Sequence, residues 1–431
     1  MDFFILVYLP QVGMSRPYLF FDMQLHNSYY QLQGLVITDI CNQFGTPLYV
    51  YDANTIVAQL KTLQTTFAES HVKVKYAAKA LTNISVLKLL KKNGSGIDVV
   101  SVNEARLALH AGFDPKDIMF TSNSVGIDEI AEAVDLGVYI NLDNLSILEQ
   151  FGKKYGSSYP CCVRLNPSIM AGGNLKISTG HSQSKFGIPV EQMDQIKALV
   201  THYSIVINGL HIHTGSEIKD VDVFMKMADI LFDLAVDFTH VKFLDFGGGF
   251  KVAYKKEDAV TDMPKLGQRL NTAFADFNQK HNRNLELWIE PGKFIVSEAG
   301  YLFTKVNIVK KNPTITFLGV DSGLNHLIRP MMYDAYHEIV NVSNPTGKEQ
   351  TYTVVGNICE TDTLGADRSL NEVREGDILA FKNGGAYGFS MASTYNSRFL
   401  PAEVLVINGE AKLIRQRTTF EDLLHGQIDV I

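Results

Sequence analysis

The sequence predicts an α/β fold: a (β/α)8 TIM-type barrel followed by a second, mostly β domain of β-barrel or sandwich-like form. Three observations predict it. Between residues 72 and 293, short β-rich runs alternate with longer amphipathic runs, the pattern of βαβ units around a parallel sheet. There are eight β-rich runs in about 230 residues, which matches the size of this barrel. After about residue 297 the long helical patterns stop, and strand-like runs follow one another.

The β-rich runs are Val72–Ala80, Gly96–Ser101, Asp117–Asn123, Val138–Asn144, Cys161–Pro167, Ile207–Gly215, Val241–Gly249 and Leu285–Lys293. Helical patterns between them include Ser85–Lys92, Asn103–Ala111, Ile127–Leu136, Val190–Val200, Val221–Val236 and Pro264–Lys280. The later strand runs are Tyr301–Lys310, Thr314–Val320, Thr351–Val355, Asp377–Phe381, Ala402–Asn408 and Lys412–Arg417. Leu48–Asp52 is a further strand candidate outside the eight, free to pair with the β domain. The expected division is an N-terminal segment 1–45 packing on or adding a strand to the β domain, a barrel over 46–296 and a β domain over 297–431. No repeat, low-complexity tract or flexible linker interrupts the chain.

Composition removes several classes of function. Of 431 residues 46% are apolar, enough for a sizeable core. The net charge is −7 and no basic stripe appears, which argues against a nucleic-acid partner. The apolar run Phe3–Leu9 is far short of a membrane span. It follows Asp2 and is closed by Gln11, unlike a signal peptide, and Met14 offers an alternative start. The four cysteines, Cys41, Cys161, Cys162 and Cys359, form no CxxC pair. A disulfide scaffold or structural zinc site is therefore not expected, no metal is assigned, and the expected compartment is the reducing cytoplasm.

Such a barrel carries its site at the C-terminal ends of its strands, and here those ends collect polar residues. They are Lys79, Asp98, Arg164 with Asn166, His211 with His213, the Gly247–Gly249 run and Glu290-Pro291-Gly292-Lys293. Their convergence says more than any one of them. Asp98 and Arg164 taken singly read as strand-end ion pairs. Three glycines after the seventh strand fit an anion cradle or a plain tight turn. Lys79 lies in an apolar strand, where desolvation would lower its pKa and suit attack on a carbonyl; a snorkelling surface lysine is the alternative. Glu290 suits pairing with a pyridinium nitrogen, or a strand-end salt bridge. His211 and His213 lie on one side of their strand, fitting a stacked ring or packed core histidines, with no third metal ligand evident nearby. Cys359 alone reads as an inert buried thiol, Arg329 as an ordinary ion pair, and Tyr333 and Tyr387 as buried aromatics.

Taken together, the motifs resemble the fold-type III pyridoxal-phosphate-dependent decarboxylases, most closely those acting on diaminopimelate. The motifs are Tyr76-Ala-Ala-Lys-Ala80, Gly209-Leu-His-Ile-His-Thr-Gly-Ser216, Asp245-Phe-Gly-Gly-Gly249, Glu290-Pro-Gly-Lys293, Leu327-Ile-Arg-Pro330 with Tyr333, Cys359-Glu360 and Gly385-Ala-Tyr387. The match runs from about Gly45 to Val406. The resemblance implies pyridoxal 5'-phosphate as cofactor and decarboxylation of meso-2,6-diaminopimelate to L-lysine. It implies that Lys79 carries the cofactor, His213 stacks on its ring, Glu290 meets the ring nitrogen, and Asp98 and Arg164 support the ring. Ser216, Gly247, Gly248, Gly249 and the segment Glu290, Pro291, Gly292, Lys293 would line the phosphate side, with Tyr387 reaching phosphate and substrate. Arg329, Tyr333 and Lys293 would hold the substrate. A head-to-tail homodimer is implied, with Cys359 as proton donor and Glu360 as binder of the distal ammonium, both reaching into the partner's site.

Three positions depart from the family pattern. Lys293 stands where arginine is usual, keeping charge but losing the planar fork. Gly356-Asn357 stands where Gly-Pro is usual, and Thr361 follows Glu360. A sister decarboxylase acting on ornithine, another basic amino acid or a carboxylated polyamine such as carboxynorspermidine is one alternative. A racemase and a non-catalytic cofactor carrier are others. Length and the Cys359-Glu360 pair argue against the racemase, Lys79 and Cys359 argue against the carrier, and Arg329 with Lys293 favours a substrate bearing a second carboxylate.

Overall fold

The computed structural model describes residues 22–169, 180 and 184–431. Phe3–Leu9 and Met14 lie outside the described residues. Eight parallel strands form the barrel: β1 (Lys73–Ala77), β2 (Gly96–Val99), β3 (Ile118–Thr121), β4 (Tyr139–Leu142), β5 (Cys161–Asn166), β6 (Ile207–Ile212), β7 (Phe243–Asp245) and β8 (Glu286–Ile289). The ladder runs β5–β6–β7–β8–β1–β2–β3–β4, and β4 pairs back onto β5 through Asn141 and Cys162, closing the circle. Helices cover the outside, so strands such as Ile118–Thr121 are buried along their whole length and read as unbroken apolar runs.

Each strand is shorter than its β-rich run, and the difference builds the site. β1 stops at Ala77, and Ala78–Ala80 turns as a 3-10 helix that lifts Lys79 clear of the ladder. β7 stops at Asp245, leaving Gly247–Gly249 as a loop. Polar residues after the strands start the next helices. Ser101 accepts from the Glu104 N–H to open Val102–His110, and Asn144 accepts from the Ile147 N–H to open Leu145–Tyr155. Toward the N-terminal end of the barrel, Trp288 and Phe243 stack with centroids 3.7 Å apart, and the buried Lys75 ammonium lies 4.1 Å from the Trp288 ring. Burial pushes that ammonium down to about 8.

The β domain is organised on the long strand Gly300–Lys311. It pairs antiparallel with Thr316–Val320, with Ile378–Phe381 and with Leu48–Asp52. Leu48–Asp52, which precedes the barrel in sequence, thus lies inside the β sheet, parallel to Ala402–Ile407. Two strands escape the sequence reading, Ile339–Asn341 and Thr363–Asn371. Thr363–Asn371 lies at the sheet edge with several exposed polar residues, so it lacks a clean apolar alternation. Near the N-terminus, three short strands within residues 24–36 form their own sheet. With helix Ile37–Phe44 this segment buries Leu32, Ile37 and Ile40 against Leu48, Val50, Tyr301 and Val404. Among the described residues no helix is long and apolar enough to cross a membrane.

Candidate active site

The strand ends converge on one cavity. Ala77, Lys79, His213, Ser216, Gly249, Phe250, the Glu290–Lys293 segment, Phe294 and Tyr387 line it. Tyr387 comes from the β domain and is fastened to the Lys79 turn, its N–H donating to the Ala80 carbonyl at 2.9 Å. Ser390 Oγ donates to the same carbonyl at 3.1 Å. The β domain therefore supplies one wall of a barrel-mouth site.

Lys79 Nζ stands 3.5 Å from Asp98 Oδ2. Burial works to lower the amine, but Asp98, Tyr387 and Glu290 outweigh it and push the amine up to about 12. This corrects the sequence expectation of a lowered lysine, because desolvation was weighed there without the carboxylates that the fold brings beside it. Asp98 itself is pushed up to about 7 by burial and by Glu290, with Lys79 opposing. Near neutral pH the amine therefore keeps its proton, with Asp98 as its neighbour.

Beneath lies a fully buried polar layer. Glu290 accepts from Thr121 Oγ1 at 3.3 Å, and its Oε2 faces His211 Nε2 at 3.3 Å. His211 Nδ1 meets the Asn141 amide at 2.8 Å. Burial pushes Glu290 up, but His211 and Lys79 hold it well below the usual carboxylate range. Asp245 moves the other way, raised well above its ordinary value by burial and by Glu290. His211, Asp245 and Glu290 bring ligand atoms within 4.8 Å of one another, so the fold sets two carboxylates beside His211 that the His211–His213 spacing does not reveal, and His213 is not part of the group. Arg164 is buried, its guanidinium 4.7 Å from the Phe186 ring centroid.

The glycine run is required by close approach. Gly247 and Gly249 hold φ of +62° and +102°. A Cβ on Gly248 would come 2.4 Å from the Glu290 carbonyl oxygen, and one on Gly249 would come 2.4 Å from the Gly215 carbonyl oxygen. The Gly248 N–H donates to His213 Nδ1 at 3.3 Å, which sets the tilt of that ring at the cavity wall. Burial and Arg164 hold His213 well below its ordinary pKa, so its ring is neutral.

Arg329 opens the short helix Arg329–Tyr333 and is buried. Tyr254, Tyr333 and Tyr387 surround its guanidinium at 5.8 to 5.9 Å, and Nη2 donates to Tyr254 Oη at 3.4 Å. Its Nε is buried without a hydrogen-bond partner, a donor left over for a ligand. Lys293 lines the cavity, but its ammonium is engaged by Glu217, whose other oxygen lies 3.5 Å from Lys251 Nζ. Glu217, Tyr254, Asn141 and Thr121 were not singled out in the sequence. Glu217 directly follows the Ser216 motif, whereas Tyr254 lies in a loop without any pattern.

Cys359 and Glu360 do not join this cavity. They are exposed on a turn between Glu349–Val355 and Thr363–Asn371. Tyr395 Oη lies 3.4 Å from Cys359 Sγ and donates to Glu360 Oε1 at 3.0 Å. Cys359 is thus exposed, not the buried thiol it reads as when taken alone, and hydrogen bonds from Tyr395 and Asn396 lower its pKa.

The site fits a phosphorylated pyridine. A glycine loop that a Cβ would obstruct allows close approach of a ligand to the backbone, a buried carboxylate is held ionised at a strand end, and a lysine stands at the rim. Fold and site together define a pyridoxal-dependent enzyme of the barrel type. The family described as "Pyridoxal-dependent decarboxylase, pyridoxal binding domain" matches residues 53–297. Diaminopimelate decarboxylase of Methanothermobacter thermautotrophicus is 39% identical over 407 residues, covering 91% of this chain and 94% of its own. That of Aquifex aeolicus is 34% identical, covering 93% and 96%. The crystal structure of diaminopimelate decarboxylase from M. jannaschii with L-lysine superposes with a TM-score of 0.87 at 31% identity, covering 94% of this chain and 98% of that one. The chain belongs to the pyridoxal-dependent decarboxylases, within the diaminopimelate decarboxylase family.

Proposed function

We propose that this chain decarboxylates meso-2,6-diaminopimelate to L-lysine and CO2, the last step of lysine biosynthesis, in the cytoplasm. The observation that carries the reading is the meeting of Lys79, His213, Ser216, Glu290 and Tyr387 in one cavity, with Arg329 beside Tyr387. In this reading the barrel, 46–296, holds the cofactor, and the β domain, 297–431, adds substrate-binding and interface residues.

Pyridoxal phosphate, when bound, supplies a sink for the electron pair left as the α-carboxylate departs. Lys79 would hold the cofactor, with Asp98 3.5 Å from its amine as the neighbouring carboxylate. Glu290, ionised, would keep a ring nitrogen protonated, with Thr121 and His211 facing its two oxygens. The neutral His213 ring would pack against the cofactor ring, with Arg164 in support. The Gly247, Gly248 and Gly249 loop, Ser216 and the Glu290–Lys293 segment would line the phosphate side, the Gly247 and Gly248 N–H groups being already donated to Asp245 and His213. Arg329 grips the distal carboxylate with Tyr333 and Lys293 beside it, and Tyr387 reaches both phosphate and substrate.

Cys359 and Glu360 lie outside their own chain's cavity, which supports a head-to-tail homodimer in which they complete the partner's site. Cys359 protonates Cα and Glu360 holds the distal ammonium. The exposed Met331, Met332, Tyr395 and Phe399 are the sort of apolar residues such an interface would cover.

The sister-decarboxylase reading keeps the same fold and lysine, and the 22%-identical lysine/ornithine decarboxylase of Vibrio vulnificus shares that fold at a TM-score of 0.76. The test offers meso-diaminopimelate, ornithine, arginine and L-lysine separately, reading CO2. L-Lysine formed from diaminopimelate alone supports the proposal. Turnover of another substrate alone moves the specificity to the sister enzymes, and binding of cofactor without turnover favours a carrier.

A further inference from the structure

We propose that Tyr395 and Asn396 are positioning residues for Cys359: they aim its sulfur and supply the hydrogen bonds that let it give up a proton. The inference rests on the reading of Cys359 as the acid of the proposed reaction.

The geometry is a closed set of contacts around one sulfur. Asn396 uses both ends of its amide on Cys359. Its Oδ1 accepts from the Cys359 N–H at 2.9 Å, and its Nδ2 donates to Sγ at 3.2 Å. This two-point grip fixes the turn that carries the thiol. Asn396 holds φ of +55°, a conformation asparagine tolerates better than most residues. Tyr395 bridges Cys359 Sγ, at 3.4 Å, and Glu360 Oε1, at 3.0 Å.

Tyr395 has one hydroxyl proton and two neighbours that can receive it. While the thiol is protonated, S–H donates to Tyr395 Oη and the tyrosine O–H donates to Glu360. When the S–H bond breaks and the proton passes to the substrate carbon, the tyrosine O–H turns to the thiolate. The thiolate then accepts from Tyr395 and from Asn396, and Glu360 gives up the tyrosine's hydrogen bond. No O–H bond is broken, and the sulfur regains its proton from solvent. A thiolate without donors is harder to form, so two donors on the sulfur ease proton release. The Glu360 carboxylate opposes this as a like charge, and Asn396 offsets it with a donor that carries no charge. Arg398, from the same segment, donates to the Asn357 carbonyl at 2.9 Å and braces the other side of the turn.

The other three cysteines are buried, so a thiol titration of the intact holoenzyme in a neutral range reads Cys359. Wild type, Tyr395→Phe, Asn396→Gly and Cys359→Ala are titrated by ultraviolet thiolate absorbance, with Cys359→Ala subtracted. Glycine at 396 keeps the left-handed backbone and removes only the side chain. The expected result is an upward shift of the midpoint in both variants, by roughly 0.5 to 1 pH unit. Bound-cofactor absorbance should be unchanged, and kcat should fall roughly 3- to 10-fold with little change in KM. Midpoints equal to wild type in both variants overturn the proposal. If the midpoints shift but Cys359→Ala retains full turnover, the positioning stands and the assignment of Cys359 as the acid fails.

Discussion

Gly248→Ala gives the sharpest steric test of the cofactor cradle. The added Cβ would lie 2.4 Å from the Glu290 carbonyl oxygen and 3.1 Å from its carbonyl carbon, both backbone atoms with no rotamer to escape through. A carbon–oxygen contact settles near 3.3–3.6 Å, so the two backbones must part by about 1 Å. Glu290 is tied to this loop, its N–H donating to the Gly247 carbonyl at 2.8 Å, so the displacement reaches its carboxylate and the contacts to Thr121 and His211. Overpacking of this kind costs about 1–3 kcal/mol. Taken from cofactor binding, that is a rise of about 5- to 150-fold in the Kd for pyridoxal phosphate. Absorbance titration of the apoprotein measures the Kd, and calorimetry measures Tm. Gly319→Ala is the control, because its Cβ would meet nothing nearer than 3.8 Å. Wild-type affinity and Tm in Gly248→Ala would refute the reasoning.

Arg329→Ala should raise KM for diaminopimelate by about 10- to 150-fold, the value of a charge-assisted hydrogen bond, and Lys293→Ala should raise it less, because Glu217 already occupies the Lys293 ammonium; equal effects in steady-state kinetics would contradict that ranking. Stability should fall on acidification between about pH 6.5 and 4. His326 and His337 are both held down to about 4 by burial, so the unfolded chain takes up more protons in that window and is favoured as pH drops. Each histidine contributes up to about 3 kcal/mol of the loss, and chemical denaturation across the window should show the slope shrink in His337→Gln.

The barrel was legible because its strands are buried on both faces and its helices are amphipathic, so the two periodicities alternate cleanly over Lys73–Ile289. The β domain was less so. Leu48–Asp52 is local in sequence to the barrel, yet its partners lie about 250 and 350 residues away, and no local pattern carries such pairing. Within the site, Lys79, His213 and Glu290 stood out as polar residues at strand ends. Tyr254 and Glu217 did not, because their importance comes from Arg329 and Lys293, which the fold brings to them. The pKa of Lys79 failed for the same reason. Burial is readable from an apolar strand, but the opposing carboxylates of Asp98 and Glu290 come from other strands.

The central claim is that Lys79, at the meeting point of the two domains, is the lysine that carries the cofactor. Borohydride reduction of the holoenzyme followed by peptide mass mapping tests it directly. The reduced pyridoxyl label is expected on the peptide containing Lys79, and its loss is expected in Lys79→Ala. A label on Lys293 or Lys251 instead, or one that persists in Lys79→Ala, would contradict it.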